Sequence, residues 1–333
     1  MEDTLDRQLA KIGPRGHQAV VVGVAAGEEL AYRGWSVSGA APDELSLFEI
    51  GSVTKVFTGV LLADMTLRGE VAMDDPLSRH LPVPSPAWRH REPTLLELAT
   101  HRSGLPNTPR GMGRRELAYV LGFGKRDPWA DVSQSDYQRL VTRESPRKPP
   151  GGRMRYSSMA VGLLGDTLAM RAGKTYEELL RERVLDPLGM SATAVSVAPP
   201  WADRLVEGHS RRGKPRPPLE DFMPAAGSLR SNAADMLRFL AACLRPPAEP
   251  PGPALAFAQE PRARMGKHVQ MGLGWILSTH PRRPGMAWHN GGTWGFRSFA
   301  GLMPEQDRAV VVMSNTARSV DRLGVRLLHA PPR

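Results

Sequence analysis

The sequence predicts a mixed α/β (α+β) fold, in which an antiparallel sheet flanked by helices carries an inserted, mainly helical domain. Strand patterns lie near both ends of the 333-residue chain, and the long stretch between them has helical periodicity with loops rich in Pro, Gly and Arg. We therefore expect both chain ends, residues 1–75 and 225–333, to form one α/β domain, with residues 76–224 as the inserted domain.

The individual elements follow that plan from the N-terminus onward. Residues 1–13 have the pattern of a polar helix, and residues 18–25 and 29–34 are typical of two paired strands. Beyond the helical middle of the chain, strand patterns return at 268–278, 286–290, 296–303 and 308–314, and a last helix is expected at 317–329.

The composition narrows the classes of function. The chain is 41% hydrophobic, which is enough for a large core, and its formal charge is +10 with a pI near 10.2. The basic residues are scattered and are not interleaved with aromatic residues, so we expect an arginine-rich solvated surface and no binding of nucleic acid. The charge by itself does not establish an anionic substrate.

The sequence contains no pattern typical of a disulfide, a metal site, a secretory signal or a membrane span. The single cysteine, Cys243, excludes an intrachain disulfide, and the nine histidines have no spacing typical of metal ligands. The N-terminal segment lacks the basic and apolar regions of a secretory signal, and no apolar run approaches the roughly 20 residues that span a bilayer. We expect a cytoplasmic protein with no cofactor, no metal and no membrane insertion.

The most informative motif is Ser52-Val53-Thr54-Lys55, at the start of an apolar helix that we expect to be capped by Ser52 and stopped by Gly69. A buried ammonium group is costly unless it is paired, and Lys55 lies one helical turn after Ser52, on the same face. This arrangement predicts an activated serine nucleophile, and the alternative is a helix cap beside a snorkelling lysine. A second serine–lysine match, Ser145 to Lys148, includes Pro146 and is expected to be a loop.

Two later segments supply further polar groups. Glycines and a proline at 150–152 lead to Tyr156 at the start of another apolar helix, where a purely packing role is the alternative. His289 lies in a segment with strand character that ends in Gly291-Gly292, and such glycines are typical of a close approach by a ligand or another strand. A structural histidine in a strand is the alternative for His289.

In combination these segments resemble the S-x-x-K, Y-x-N and H/K-x-G motifs of the penicillin-recognising serine hydrolases. That group comprises class C β-lactamases, D-alanyl-D-alanine carboxypeptidases, D-aminopeptidases and related esterases and acyltransferases. Residues 94–106, 185–190 and 272–275 are similar to further family segments, and the resemblance extends over about residues 17–317. It implies a β-lactamase/transpeptidase-like fold with the active site at the interface of the two domains.

The resemblance also implies roles for individual residues. Ser52 would be the nucleophile, Lys55 and Tyr156 would form one coupled proton-transfer unit, and a charged or polar His289 would adjust that unit. Which of Lys55 and Tyr156 takes the serine proton stays open. The oxyanion hole would be the backbone N–H groups of Ser52 and Gly292. The implied substrate contacts are Ser158, Asn290, Gly291 and Trp294.

One departure from the family pattern bears on the substrate. Ser158 stands where the tyrosine motif usually has an amide-binding asparagine, which argues against turnover of β-lactams and D-alanyl peptides. We therefore expect a serine acyl hydrolase or acyltransferase, an esterase or a transacylase, that acts on a small-molecule ester or amide. Water, an amine or an alcohol would accept the acyl group. The alternatives are a D-amino-acid peptidase or β-lactamase, and a catalytically silent binding protein of the same fold. The sequence does not indicate an oligomeric state.

Overall fold

A computed structural model describes residues 2–11, 16–81, 88–121, 127–129, 132, 134–144, 146, 148–219, 223–281 and 284–330. The strands are β1 Ala19–Ala26, β2 Glu29–Ser36, β3 Phe48–Glu49, β4 Gly208–His209, β5 Pro215–Arg216, β6 Arg230–Ser231, β7 Ala263–Gly266, β8 Val269–Met271, β9 Ile276–Ser278, β10 Ala287–Gly292, β11 Arg297–Met303 and β12 Arg308–Ser314.

The α-helices are α1 Glu2–Leu9, α2 Thr54–Leu67, α3 Leu95–Ala99, α4 Met112–Leu121, α5 Gln134–Thr142, α6 Ser158–Ala172, α7 Tyr176–Leu180, α8 Pro224–Gly227, α9 Ala233–Leu244, α10 Gly252–Ala258 and α11 Asp321–Leu328. Short 3₁₀ turns occur at Gly51–Val53, Leu77–Arg79, Ala202–Arg204 and Pro304–Gln306, and a π-helical turn at Arg181–Leu185. Within the described ranges, no helix is both long and apolar enough to cross a membrane.

An antiparallel sheet of eight strands dominates the molecule, in the order β2-β1-β12-β11-β10-β9-β8-β7. Its strands come from the two chain ends, and α3 to α7 lie between them in sequence, so the predicted fold class is confirmed. The segment predicted as one strand at 268–278 is instead split into β8 and β9. The split occurs at Gly272-Leu273-Gly274, where Gly274 has a φ of 76° that an extended strand does not permit. The division into two domains at residues 75 and 225 remains a prediction.

Alternation along the strands gives the sheet two apolar faces. On β1, Val21 and Ala25 belong to the larger core together with α2 and α9, whereas Val20, Val22 and Val24 belong to a second core. Helices α1 and α11 cover that second face through residues such as Leu5 and Leu323. Packing on both faces makes the sheet a rigid support for the residues at its edge.

Helix α2 is buried along almost its full length, from Thr54 to Met65. The expectation that Ser52 caps this helix is wrong, because α2 begins at Thr54 and no side chain caps it. Ser52 lies instead in the 3₁₀ turn that precedes α2, so its hydroxyl is available to other side chains. The predicted stop is confirmed: α2 ends at Leu67, and Gly69 follows with a φ of 71°.

Candidate active site

The turn that carries Ser52 packs directly against the end of strand β10. A Cβ atom on Gly51 would lie 2.6 Å from the Gly292 nitrogen, and one on Gly291 would lie 1.9 Å from the Ile50 carbonyl oxygen. Only glycine permits this approach, and the φ of 52° at Gly51 also favours it. The backbone of Ser52 and that of Gly292 are therefore held close to each other.

Among the described strands, one edge of β10 is unpaired near Gly292, because the neighbouring strand β9 is short. Strand β9 pairs with Ala287 and Trp288 alone, while the other edge of β10 pairs with β11 as far as Gly292. Beyond Trp288 the edge therefore faces the Ser52 turn, and Ser298 of β11 fixes that turn by donating a 2.7 Å hydrogen bond to the Ile50 carbonyl. The Ser52 turn and this edge of β10 are therefore held next to each other.

Ser52, Lys55 and Tyr156 form one hydrogen-bonded group. The Lys55 Nζ atom donates to Ser52 Oγ over 2.9 Å, and the Tyr156 hydroxyl lies 2.7 Å from the same oxygen. Lys55 is only 1% exposed, and it donates a second bond of 2.5 Å to the Ala226 carbonyl oxygen. Its Nζ atom lies 5.1 Å from the centroid of the Tyr156 ring. The buried ammonium is thus satisfied by oxygen acceptors and an aromatic ring.

Tyr156 is held at the N-terminal end of α6 by its neighbours. Ser157 is the N-cap of this helix, since its Oγ accepts a hydrogen bond from the Ala160 N–H and donates one to the Pro106 carbonyl oxygen. The preceding residue, Arg155, donates its N–H to the carbonyl of His101. These bonds fix the backbone on both sides of Tyr156, whose side chain is 39% exposed and reaches across to Ser52.

His289 is buried on β10 near the group. Its Nδ1 atom lies 2.6 Å from the Asn290 carbonyl oxygen and must therefore carry the proton, while Nε2 has no hydrogen-bond partner among the described residues. Burial, reinforced by the charge of Lys55, lowers the pKa of His289 to about 4. His289 is therefore neutral at pH 7. The sequence is compatible with either a charged or a neutral, polar His289, and the neutral form is the one that this burial favours.

A cavity of about 570 Å³ opens beside Ser52 and Tyr156. The four residues predicted as substrate contacts, Ser158, Asn290, Gly291 and Trp294, all line it together with Gly292. The volume is in the range typical of small-molecule sites. The Asn290 side chain donates to the Asp321 carboxylate over 3.0 Å, which orients both groups at the cavity wall.

Several lining residues were not identified from the sequence. Asn107 accepts a 3.0 Å hydrogen bond from the Ser158 N–H through its side-chain oxygen, which turns its amide nitrogen away from that bond. Tyr119, Arg216 and Arg297 line the same cavity. Asn107 directly follows a stretch similar to a family segment, but Tyr119 and Arg216 lie in segments that carry no motif.

Metal binding at the site or in the rest of the described chain would need clustered His, Cys, Asp or Glu side chains. Across the part of the chain that the structure describes, no cluster of three or more His, Cys, Asp or Glu residues is arranged to hold a metal ion.

Comparison with known proteins agrees with this geometry. A model of the Beta-lactamase family matches residues 5–330, so the chain belongs to the beta-lactamase family and is a serine hydrolase of that type. The chain is 28% identical over 285 residues to the D-alanyl-D-alanine-carboxypeptidase/endopeptidase AmpH of Escherichia coli (strain K12), covering 80% of this chain and 70% of AmpH.

Two further proteins are similar to the chain. It is 27% identical over 305 residues to a Beta-lactamase of Escherichia coli (strain K12), covering 81% of this chain and 75% of that enzyme. The crystal structure of a Beta-Lactamase/D-Alanine Carboxypeptidase from Pseudomonas syringae matches with a TM-score of 0.83 and 19% identity, covering 99% of each chain. This last likeness confirms the β-lactamase-like fold.

Proposed function

We propose that the protein is a serine acyl hydrolase that cleaves a small-molecule ester or amide through an acyl-enzyme on Ser52. The observation that carries this proposal is the pair of hydrogen bonds at one oxygen: Ser52 Oγ lies 2.9 Å from Lys55 Nζ and 2.7 Å from the Tyr156 hydroxyl. A serine needs such a partner because its hydroxyl is a weak nucleophile until a neighbouring group takes its proton.

The proposed reaction has two halves. Ser52 Oγ attacks the substrate carbonyl while its proton passes to Lys55 and Tyr156, which act as one base in the state where the pair has already lost one proton, from either the ammonium or the phenol. The N–H groups of Ser52 and Gly292 stabilise the oxyanion. The tetrahedral intermediate then collapses, and Tyr156 returns a proton to the leaving group. In the second half, water attacks the acyl-enzyme along the same path in reverse and releases the acid. His289, as a neutral buried group, adjusts the polarity around Lys55 and transfers no proton.

Short esters are the primary substrate class in this proposal. Ester cleavage requires only the nucleophile, the proton-transfer pair and the oxyanion hole. Ser158, Asn290, Gly291 and Trp294 would then orient the substrate along the cavity. An amine or alcohol that displaced water from the cavity would turn the same acyl-enzyme into a transacylase.

A D-amino-acid peptidase or β-lactamase is the second candidate, and one observation favours it. Asn107 lies beside Ser158 in the cavity wall, so an amide side chain is available although the third residue of the tyrosine motif is serine. Two relatives, AmpH and the Escherichia coli Beta-lactamase, have names that describe these activities. Asn107 therefore weakens the sequence-based objection to amide substrates.

Active-site labelling and intact mass test the proposal. A fluorophosphonate probe should add once to the wild-type protein and not to Ser52→Ala, whereas Ser145→Ala, at a position outside the described residues, should still be labelled. Incubation with a panel of para-nitrophenyl esters, cephalosporins and D-alanyl-D-alanine peptides should give an acyl adduct on Ser52 with at least one class. Labelling without any turnover would instead support the catalytically silent binding protein.

The same panel separates the remaining alternatives. Ester turnover well above cephalosporin turnover supports the first candidate, and kcat/KM for a cephalosporin above about 10⁴ M⁻¹s⁻¹ supports the second. Adding amines or alcohols diverts the acyl group only in a transacylase. EDTA should leave activity unchanged, and random duplex DNA should not bind near physiological salt. The cytoplasmic location remains a prediction, which cell fractionation tests.

A further inference from the structure

The cavity beside Ser52 is lined by more positive charge than its surroundings neutralise. Three arginines line it, Arg211, Arg216 and Arg297, and none of them forms a salt bridge with a carboxylate of the described residues. Arg297 donates from Nη1 to the carbonyl oxygens of Thr293 and Phe296, and the charge of Asp321 partly offsets its own. Unpaired guanidinium groups that converge on one cavity favour an anionic occupant.

Of the three arginines, Arg216 is the one whose guanidinium group is held by an aromatic ring. Its guanidinium carbon lies 4.4 Å from the centroid of the Tyr119 ring, and its Nε atom is buried without a hydrogen-bond acceptor among the described residues. Stacking on an aromatic face holds a guanidinium in one orientation while its remaining N–H groups stay available. Arg216 is thus oriented by an interaction that does not use its donors.

A second donor without a partner lies in the same wall. Tyr119 packs edge-on against Trp294, with ring centroids 5.1 Å apart and an interplanar angle of 76°. The indole Nε1 of Trp294 is buried, and no described residue accepts its hydrogen bond. Buried donors without acceptors are costly, so a ligand rich in acceptor oxygens would be bound favourably here.

The two carboxylates of the wall are engaged elsewhere. Glu116 accepts from the Trp129 Nε1 atom over 2.9 Å and from the Thr108 hydroxyl, and burial raises the pKa of this carboxyl. Asp321 accepts from the Asn290 amide, and its charge acts on Arg297. Neither therefore neutralises Arg216.

We propose that Arg216, stacked on Tyr119 beside Trp294, binds an oxyanionic substituent of the substrate, a carboxylate or a phosphate. This inference deepens the proposed function and rests on it, because it places the anionic group on the ester or amide that Ser52 attacks. Trp294 follows Gly292 by two residues, so the subsite adjoins the strand end that would bind the oxyanion. Arg216 would determine specificity, and it would take no part in the proton transfer.

Matched esters test the subsite. Para-nitrophenyl hexanoate and the para-nitrophenyl half-ester of adipic acid have acyl chains of equal length, and only the second carries a carboxylate. A hexanoyl ester of hydroxy-nitrobenzoate places the carboxylate on the leaving group. We expect wild-type kcat/KM to favour one carboxylate ester over para-nitrophenyl hexanoate, and Arg216→Gln to reduce that ratio about 10- to 100-fold, mainly through KM. Arg216→Lys should lie between them, because lysine keeps the charge and loses the planar fork.

Arg212→Gln is the matched control, because Arg212 is an exposed neighbour and the substitution changes net charge equally. It should leave the ratio unchanged, and an equal effect of the two variants would overturn the proposal by reducing it to overall charge. Competition by adipate or by inorganic phosphate against the neutral ester distinguishes a carboxylate from a phosphate. Absence of both inhibition and ester preference also overturns it.

Binding to an inactive protein separates this inference from the proposed function. Calorimetry with Ser52→Ala should show tighter binding of the carboxylate ester than of the neutral one, and Ser52→Ala/Arg216→Gln should lose that difference. If wild-type protein forms no Ser52 adduct with any ester, the proposed function fails. If the adduct forms but the two Ser52→Ala proteins bind the carboxylate ester equally, the subsite fails alone.

Discussion

The ring of His101 packs against the ring of Tyr156, with centroids 4.5 Å apart and planes tilted by 39°. His101 is 1% exposed, and its φ of 57° lies in the left-handed region, where residues other than glycine are uncommon. Its Nδ1 atom accepts the N–H of Ser157 over 3.2 Å. The strained backbone of His101 is thus retained where its ring contacts Tyr156, the proposed proton-transfer residue, and its Nδ1 atom fixes the backbone of Ser157.

We expect His101 to be a positioning residue for Tyr156. His101→Asn tolerates the left-handed backbone but removes the ring, so kcat on the best ester should fall about 10- to 100-fold with KM little changed. In a Tyr156→Phe background the same substitution should cost little, because its effect passes through the phenol. A loss of kcat that is as large in Tyr156→Phe as in the wild type contradicts this role, and thermal unfolding of each variant serves as the control for folding.

Tyr156→Phe should keep the fold and lose most turnover. The phenol oxygen lies 2.7 Å from Ser52 Oγ, and general acid–base catalysis is typically worth about 10²- to 10⁴-fold. Lys55→Ala should be at least as damaging, and the double variant should be no worse than the poorer single one, since groups that act as a unit do not add. Steady-state ester hydrolysis measures all three. A loss below about tenfold for Tyr156→Phe would leave Lys55 as the base.

Gly51→Ala should damage the oxyanion hole. A Cβ atom there would lie 2.6 Å from the Gly292 nitrogen, so the turn and the strand must separate. Gly69→Ala is the matched control, because its φ of 71° is also positive but nothing lies within 4 Å of the added Cβ. Gly69→Ala should lose about 1–2 kcal/mol of unfolding free energy through backbone strain, and Gly51→Ala should lose more because of the added clash with the Gly292 backbone. Only Gly51→Ala should also slow fluorophosphonate labelling of Ser52; equal labelling rates would contradict the close approach.

The sequence predicts those parts of the site that depend on local spacing. Ser52 and Lys55 lie one turn apart, so their proximity follows from helix geometry alone. Tyr156 joins them through a contact between residues 104 positions apart, which local spacing cannot supply and which the family resemblance suggested. Arg216 and Tyr119 carry no motif, and they meet only through the tertiary fold.

The main errors in the fold prediction have local causes. Ser52 has the residue type of an N-cap, but an additional 3₁₀ turn moves the start of the helix to Thr54. Apolar residues at 268–278 suggested a single strand, although the pair Gly272 and Gly274 allows a reversal of direction. Turn-forming residues within an apolar run outweighed strand propensity.

His289 should make the protein less stable in acid. Its pKa is lowered from 6.5 to about 4, so between these values the unfolded chain binds a proton that the folded protein excludes. Above pH 6.5 the imidazole is neutral in both the folded and the unfolded chain, so it does not affect the unfolding free energy. As the pH falls from 6.5 toward 4, the unfolded chain alone is protonated and the unfolding free energy decreases. From pH 7.5 to pH 5 this one group should lower the unfolding free energy by about 2 kcal/mol. Urea unfolding of His289→Gln should show a shallower pH dependence than that of the wild type, and an identical slope would contradict the neutral, buried form.

Asp166 should have the opposite effect on the pH dependence of stability, because it should make the protein less stable as the pH rises. Burial in helix α6 raises its pKa from 3.8 to about 7, and no described residue forms a hydrogen bond or ion pair with its carboxylate. The folded protein therefore keeps a proton that the unfolded chain releases, and stability falls as the pH rises from about 4 to about 7. Asparagine mimics the neutral acid without this loss.

Asp166→Asn should thus raise the unfolding free energy at pH 8 and change it little at pH 4. The gain has an upper bound of about 4 kcal/mol, and the side chain keeps some solvent contact, so the measured value should be smaller. Asp203→Asn, at an exposed position, is the control and should have no effect at either pH. Urea unfolding at both pH values measures the difference. A gain that is equal at pH 4 and pH 8 would contradict the raised pKa of Asp166, because it would mean that the folded and unfolded chains bind this proton equally and that the amide merely packs better than the acid.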